Sequence, residues 1–133
     1  MEIMPKDKKD YFSTSRFVTE LQSQDFDSVA TWKLKNGECC IVLFYAPWCP
    51  HCKKLKQVWE NLAKIAAFFN VYAFNCEKLK AHLSKIQSDM PNLIQGFPTI
   101  IIYKNGSPAE KVGETESERE VSHLVNACMR VCS

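Results

Sequence analysis

Two cysteines separated by two residues are the feature of this sequence with the clearest chemical potential. Cys49 and Cys52 stand in residues 46–53, which read APWCPHCK. Two thiols at this spacing lie within about one turn of a helix and can close into a disulfide with little backbone motion. Thiol–disulfide exchange requires one exposed thiolate and one resolving thiol. The spacing therefore predicts a redox pair in which Cys49 attacks and Cys52 resolves.

The flanking sequence predicts that Cys49 stands where a helix begins. Residues 39–45 are continuously apolar, which is typical of a strand buried on both faces, and Pro50 suits the first position of a helix. The N–H groups and dipole of that helix would then point at the Cys49 sulfur and stabilise its thiolate. We expect His51, Pro50 and Lys53 to tune this ionisation further.

A CxxC pair is also half of a zinc site. Zinc in a structural site takes four ligands, and the sequence has no second CxxC and no HxxxH. The pattern therefore favours redox chemistry without a cofactor. A metal-binding protein, bridged as a dimer through Cys49 and Cys52, remains an alternative that elemental analysis would identify.

The other cysteines are interpreted as packing residues. The chain has seven cysteines, an odd number, so at least one is unpaired or shared. The charged start Met1–Asp10 lacks the apolar stretch of a secretory leader, so we expect a reducing compartment and a cytoplasmic location. Apolar patterns account for five of the seven cysteines: Cys39 and Cys40 on opposite faces of a strand, Cys76 at a strand end, and Cys128 and Cys132 on a helix stripe. Two alternatives remain: one of Cys39 and Cys40 could be reactive, and Cys128 and Cys132, one turn apart, could bind a metal or form a disulfide.

Composition predicts a single globular domain. The chain has 133 residues, of which 46% are hydrophobic and 24% charged, so a core can form without a disulfide or metal. The net charge of +2 is too small to favour a nucleic acid or an anionic membrane as a partner. The longest apolar run, residues 39–46, is too short to span a membrane. We divide the chain into a flexible arm, 1–14, and a domain, 15–133.

Apolar periodicity predicts alternating strands and helices. Strands are expected over 16–21, 39–45, 71–75, 99–103 and 109–112, and helices over 25–34, 50–69, about 79–86, and from near Thr115 or Ser117 to the end. Asn105-Gly106 predicts a hairpin turn between the last two strands. Together these elements indicate an α/β fold with a mixed sheet.

Two segments resemble the thioredoxin superfamily. Residues 44–53, FYAPWCPHCK, are similar to the active-site segment of protein disulfide isomerase domains, and residues 96–99, GFPT, resemble that family's cis-proline loop. Over about residues 15–130 the resemblance implies a thioredoxin fold, with a central mixed β-sheet flanked by helices on both faces. It implies that Pro98 is cis and faces the cysteines, and that the Phe97 backbone receives an extended substrate strand.

The same resemblance implies a thiol–disulfide oxidoreductase that acts on protein thiols and disulfides. Such an enzyme exchanges electrons with a donor or acceptor protein, and we expect it to be a monomer. Trp48, a bulky aromatic residue beside Cys49, is expected to shield the thiol and to contact unfolded substrate. A binding or chaperone module that uses Trp48 and Phe97, with little catalysis, is the alternative.

The sequence departs from the family pattern at two places. The dipeptide between the cysteines is Pro-His, as in the bacterial periplasmic disulfide oxidase, whereas isomerases have Gly-His and thioredoxins Gly-Pro. Leu43 stands where isomerases and thioredoxins bury an acid that takes the proton of the second cysteine, so we expect slower resolution. Glu38 or Lys53 could substitute through water. Arg119 lies near the position of the isomerases' mobile arginine but is offset from it, and we leave it unassigned.

Overall fold

Five strands form one mixed sheet in the computed structural model, which describes residues 9–133. The strands are β1 (Thr19–Glu20), β2 (Cys40–Tyr45), β3 (Asn70–Asn75), β4 (Thr99–Lys104) and β5 (Ser107–Val112). Their order is β1-β3-β2-β4-β5, in which β1, β3 and β2 are parallel and β4 and β5 are antiparallel to their neighbours. The chain thus has the mixed sheet of the thioredoxin fold, and β2 lies at its centre.

Three α-helices cover the sheet on both faces. They are α1 (Pro50–Ile65), α2 (Lys80–Asp89) and α3 (Val121–Cys132). The first and last pack on one face, against a core that includes Leu43 and Tyr45, and α2 packs on the other. Within residues 9–133, none of the helices combines the length and the apolar surface that a membrane crossing needs.

Burial on both faces explains the apolar run in β2. All six residues of the strand are buried, and successive side chains enter different cores. Leu43 lies among α1 and α3, whereas Phe44 packs at a ring-centroid distance of 5.4 Å from Phe74 on the opposite face. This rigid strand leads directly to the two cysteines.

A two-residue turn joins β4 to β5, as the sequence predicts. Asn105 and Gly106 have φ angles of 55° and 80°, the left-handed conformation that such turns require. A Cβ atom on Gly106 would lie 2.6 Å from the carbonyl oxygen of Leu34, so only glycine fits there.

The predicted helix over residues 25–34 is wrong. Only Ser23–Asp25 forms a short 3₁₀ turn, and the following residues form bends and turns. Asp27 Oδ2 accepts hydrogen bonds from the N–H groups of Val29 (2.9 Å) and Ala30 (2.7 Å). A side chain that captures these N–H groups competes with helical bonding, and Val29, assigned to the apolar face, is 85% exposed.

The predicted boundary of the arm is also too late. Residues 1–8 lie outside the described residues, but Tyr11 and Phe12 pack on the domain rather than extending from it. Phe12 is 3% exposed and belongs to the core beneath α1 and α3. The ordered domain therefore includes part of the segment that the sequence assigned to the arm.

Cys39 and Cys132 form a disulfide, which corrects their interpretation as packing residues. The bond joins the start of β2 to the last turn of α3 across 93 positions of the chain, with Cα atoms 5.7 Å apart. Both cysteines are only half-buried.

Candidate active site

Cys49 caps the N-terminus of α1. Its N–H donates to the Ala46 carbonyl at 2.9 Å, which forms the turn out of β2, and Pro50 occupies the start of the helix. The N–H of Cys52 donates to Cys49 Sγ at 3.4 Å. The sulfur therefore occupies the place of a capping oxygen, where backbone donors favour negative charge.

Both thiols of the pair are buried, and Cys52 is the more completely enclosed. Both are free, with Cys49 5% and Cys52 0% exposed. Burial, followed by the hydrogen bond with Cys49, raises the pKa of Cys52 to about 12, although the Ala46 backbone and the charge of Arg119 oppose this rise. Cys52 therefore keeps its proton until it reacts, which suits a resolving thiol.

The loop before β4 lies against the attacking thiol. The Phe97–Pro98 peptide bond is cis, and the Cys49 thiol donates to the Phe97 carbonyl at 3.7 Å. Trp48 packs edge to face on Phe97, with ring centroids 6.1 Å apart, yet remains 49% exposed. The structure thus brings together Cys49, Cys52, Trp48, Phe97 and Pro98.

A shallow cavity of about 250 Å³ lies beside this loop. Phe97 and Pro98 form one side of it, and Lys111 and Val112 of the edge strand β5 form another. Its lining includes both polar and apolar side chains.

The charged residues near the pair lie on the exposed side of α1. The side chains of His51 and Lys53 are exposed, whereas Pro50 is fixed at the helix start. Arg119, left unassigned from the sequence, donates from Nε to the Gly113 carbonyl at 2.8 Å. Its charge acts on Cys52, so the structure brings this residue into the site.

A partly buried carboxyl group, that of Glu20, lies in the same row of the sheet as Leu43 but two strands away, with Ala73 between them. Leu43 is fully buried, in agreement with the replacement of an acid by an apolar residue. Glu20, on β1, points into the same core face and accepts a hydrogen bond from Tyr45 Oη at 2.6 Å. Sequence analysis missed Glu20 because a charged residue in an alternating strand is normally expected on the solvent side.

Glu38 does not replace the missing acid. It is exposed, precedes β2 at the end of the strand opposite the cysteines, and accepts from Asn70 Nδ2 at 2.7 Å. The suggestion that it acts on Cys52 through water is therefore wrong, because the whole of β2 separates them.

We predict that Glu20→Gln flattens the pH dependence of stability. Burial, and to a smaller extent the charge of Asp10, raises the pKa of Glu20 to about 7, although bonds from Tyr45 and Phe12 and the charge of Lys78 oppose the rise. Between the ordinary pKa of a glutamate and about 7, the native state holds a proton that the unfolded state has released. The free energy of unfolding therefore falls as pH rises through this window.

We expect this loss to be about 2 kcal/mol in the wild-type protein, after allowance for the partial exposure of Glu20. Urea unfolding at pH 5 and pH 8 measures it, and the variant should lack most of it. If the unfolding free energies of wild-type and variant changed by the same amount between pH 5 and pH 8, Glu20 would be ionised in the folded state over that range, and the prediction would be wrong.

The remaining free cysteines serve the core. Cys40, Cys76 and Cys128 are buried, and burial raises the pKa of each. Cys76 donates from its thiol to the Phe74 carbonyl at 3.8 Å. Over the described range 9–133, no group of three or more histidine, cysteine, aspartate or glutamate side chains is arranged to hold a metal ion.

Comparison with known proteins agrees with the fold. The family model described as Thioredoxin matches residues 17–127. Protein disulfide-isomerase 5-2 of Arabidopsis thaliana is 32% identical over 119 residues, which are 86% of this chain and 25% of that protein. The chain thus spans about a quarter of the length of this curated relative.

Solved structures show the same architecture. The J-Trx1 fragment of ERdj5 superposes with a TM-score of 0.67 and 25% identity, over 86% of this chain and 51% of that one. A thioredoxin of Malassezia sympodialis superposes with a TM-score of 0.63 and 21% identity, over 89% of this chain and 94% of that one. The second comparison shows that a protein of nearly this extent adopts the fold by itself.

Proposed function

Because the chain belongs to the thioredoxin family, we propose that it is a thiol–disulfide oxidoreductase that acts on protein substrates through Cys49 and Cys52. The observation that carries this proposal is the N-cap position of Cys49, whose sulfur accepts the Cys52 N–H at 3.4 Å beside a cis-proline loop. Relatives named protein disulfide-isomerase support the same chemistry.

In the reductive direction, the Cys49 thiolate attacks one sulfur of a substrate disulfide. A bond forms between Cys49 and that sulfur, and the other substrate sulfur leaves as a thiolate and takes up a proton. Cys52 then loses its proton and attacks Cys49 Sγ, which releases the second substrate thiolate and closes the Cys49–Cys52 disulfide. Two electrons have passed to the substrate, and the oxidative direction is the reverse.

The residues around the pair bind the substrate and tune the thiols. Trp48 offers its exposed ring to apolar side chains, and Phe97 and Pro98 present backbone to an extended chain along the adjoining cavity. His51 and Lys53, with Pro50 at the helix start, are proposed to act on the reactivity of Cys49 through charge and helix geometry.

The catalyst needs a partner rather than a bound cofactor, since the dithiol itself carries the electrons. We propose that an electron donor or acceptor protein docks at the cavity beside Phe97 and Pro98. We also propose that the enzyme is a monomer. We also propose the cytoplasmic location that the sequence predicts. Cell fractionation followed by alkylation of free thiols tests it, because Cys39 and Cys132 should be reduced in a cytoplasmic protein.

Reduction of insulin disulfides tests the proposed function. With dithiothreitol as the electron source, wild-type protein should shorten the lag before insulin precipitates by at least about tenfold relative to dithiothreitol alone. A lag equal to that of dithiothreitol alone would contradict the proposal.

A binding or chaperone module is the second candidate, favoured by the exposure of Trp48, which is 49% accessible next to the half-buried Phe97. Suppression of the aggregation of a cysteine-free client distinguishes it. A Cys49→Ser/Cys52→Ser double variant that suppresses aggregation as well as wild-type, combined with no insulin reduction by wild-type, would favour this candidate; Trp48→Ala should then reduce the suppression.

A further inference from the structure

Tyr11 reaches the turn that carries Cys49 from far away in the sequence. Its Oη donates to the Pro47 carbonyl at 2.9 Å, across 36 positions of the chain. Pro47 lies between the end of β2 and Cys49, so this bond fixes the peptide that leads into Trp48 and Cys49. No sequence pattern assigns Tyr11 a role.

The ring and backbone of Tyr11 are held by a buried tyrosine. The ring stacks on Tyr45 with centroids 4.2 Å apart and planes 18° apart, and the Tyr11 N–H donates to Tyr45 Oη at 2.9 Å. Tyr45 Oη in turn donates to Glu20 Oε2 at 2.6 Å, and the same oxygen accepts the N–H of Phe12 at 3.0 Å. Glu20 thus anchors both the tyrosine and the segment.

Further contacts hold the segment on either side of Tyr11. Asp10 forms an ion pair with Lys78 at 3.1 Å and accepts from Asn75 Nδ2 at 2.9 Å. The ammonium group of Lys56, on α1, lies 4.7 Å from the centroid of the Tyr11 ring. Such dense contacts are typical of an ordered segment that packs on the domain, not of a mobile terminus.

The phenol of Tyr11 keeps its proton. Burial raises the pKa of Tyr11, and the charges of ionised Cys52 and then Cys49 raise it further. Tyr11 is therefore a neutral hydrogen-bond donor at neutral pH.

We propose that Tyr11, anchored by Tyr45 and Glu20, is a positioning residue that keeps the Cys49 turn in the geometry from which Cys49 and Cys52 close their disulfide. This inference rests on the proposed function. When the dithiol meets oxidised glutathione, the two thiols lose two protons and two electrons, one protein S–S bond forms, and two molecules of reduced glutathione are released. The closer the sulfurs are held, the more the closed state is favoured.

The equilibrium constant of the pair with glutathione tests the proposal. The full chain is equilibrated with mixtures of reduced and oxidised glutathione, quenched by alkylation and analysed by mass. Tyr11→Phe keeps the stacked ring but loses the bond to Pro47, so we expect a shift toward the dithiol of about threefold or more. Glu20→Gln should shift the equilibrium constant toward the dithiol by a smaller factor. The Tyr11→Phe/Glu20→Gln variant should shift it by less than the product of the two single factors, because both residues act through one network.

Tyr103→Phe is the matched control. Tyr103 Oη also donates to a backbone carbonyl, that of Trp32 at 2.8 Å, but it lies in the core on the opposite face of the sheet. Its loss lowers stability without touching the pair, so the equilibrium constant should stay within about 1.5-fold of wild-type. An unchanged constant in Tyr11→Phe, or an equal shift in Tyr103→Phe, would overturn the proposal. Because glutathione serves as the probe, a wild-type protein that fails to reduce insulin would contradict the proposed function and leave this result standing.

Discussion

Replacement of Cys49 by serine is expected to lower insulin reduction by about tenfold or more, to the rate of dithiothreitol alone. A hydroxyl at the helix N-cap still accepts the Cys52 N–H, so the fold and the cap survive the change. It does not attack a disulfide, however, and Cys52 is fully buried and protonated at neutral pH because burial raises its pKa to about 12. The variant therefore has no thiol with which to begin the exchange.

The matched control is Cys128→Ala, which removes a free buried thiol from α3 instead. This variant should be about 1 kcal/mol less stable but should reduce insulin within about twofold of wild-type. Far-ultraviolet circular dichroism of both variants confirms folding. Substantial turnover by folded Cys49→Ser would show that another thiol carries the chemistry.

Loss of the Cys39–Cys132 disulfide is expected to have the largest effect on stability. The bond closes a loop across 93 positions and ties the last turn of α3 to the start of the central strand. A loop of this length limits the unfolded chain strongly, so we expect the Cys39→Ala/Cys132→Ala variant to lose about 4 kcal/mol of unfolding free energy. Urea unfolding at pH 7 without reductant measures the change.

Each single variant should lose nearly as much as the double, because either substitution breaks the bond. Since the disulfide lies at the end of β2 opposite the Cys49–Cys52 pair, insulin reduction well below the unfolding midpoint should stay within about twofold of wild-type. A stability loss under about 1 kcal/mol in the double variant would show that the bond does not restrict the unfolded chain as expected.

The sequence predicts the active-site turn well because its signals are local and agree with one another. The apolar run that became β2, the proline after Cys49 and the spacing of Leu55, Trp59 and Leu62 on α1 all favour a strand, a turn and a helix. The cis conformation before Pro98 is different, since it was expected only through resemblance to a known family.

What the sequence could not predict depends on distant parts of the chain. Cys39 and Cys132 both fit apolar patterns, and nothing local shows that their Cα atoms lie 5.7 Å apart. Glu20 and Tyr11 become parts of one network only when β1 and the preceding segment fold against Tyr45. The helix predicted over 25–34 is absent for a local reason, because the Asp27 side chain accepts hydrogen bonds from backbone N–H groups. A prediction based on apolar periodicity does not include this effect.

Covalent trapping by Cys52→Ser tests most directly whether this protein exchanges disulfides through Cys49. The variant keeps the attacking thiol and lacks the resolving one, so incubation with a disulfide-bonded protein should accumulate a mixed disulfide, which mass spectrometry of the digest should locate at Cys49. We predict that this adduct forms with Cys52→Ser and not with Cys49→Ser. No adduct, or one at Cys40, Cys76 or Cys128, would contradict it.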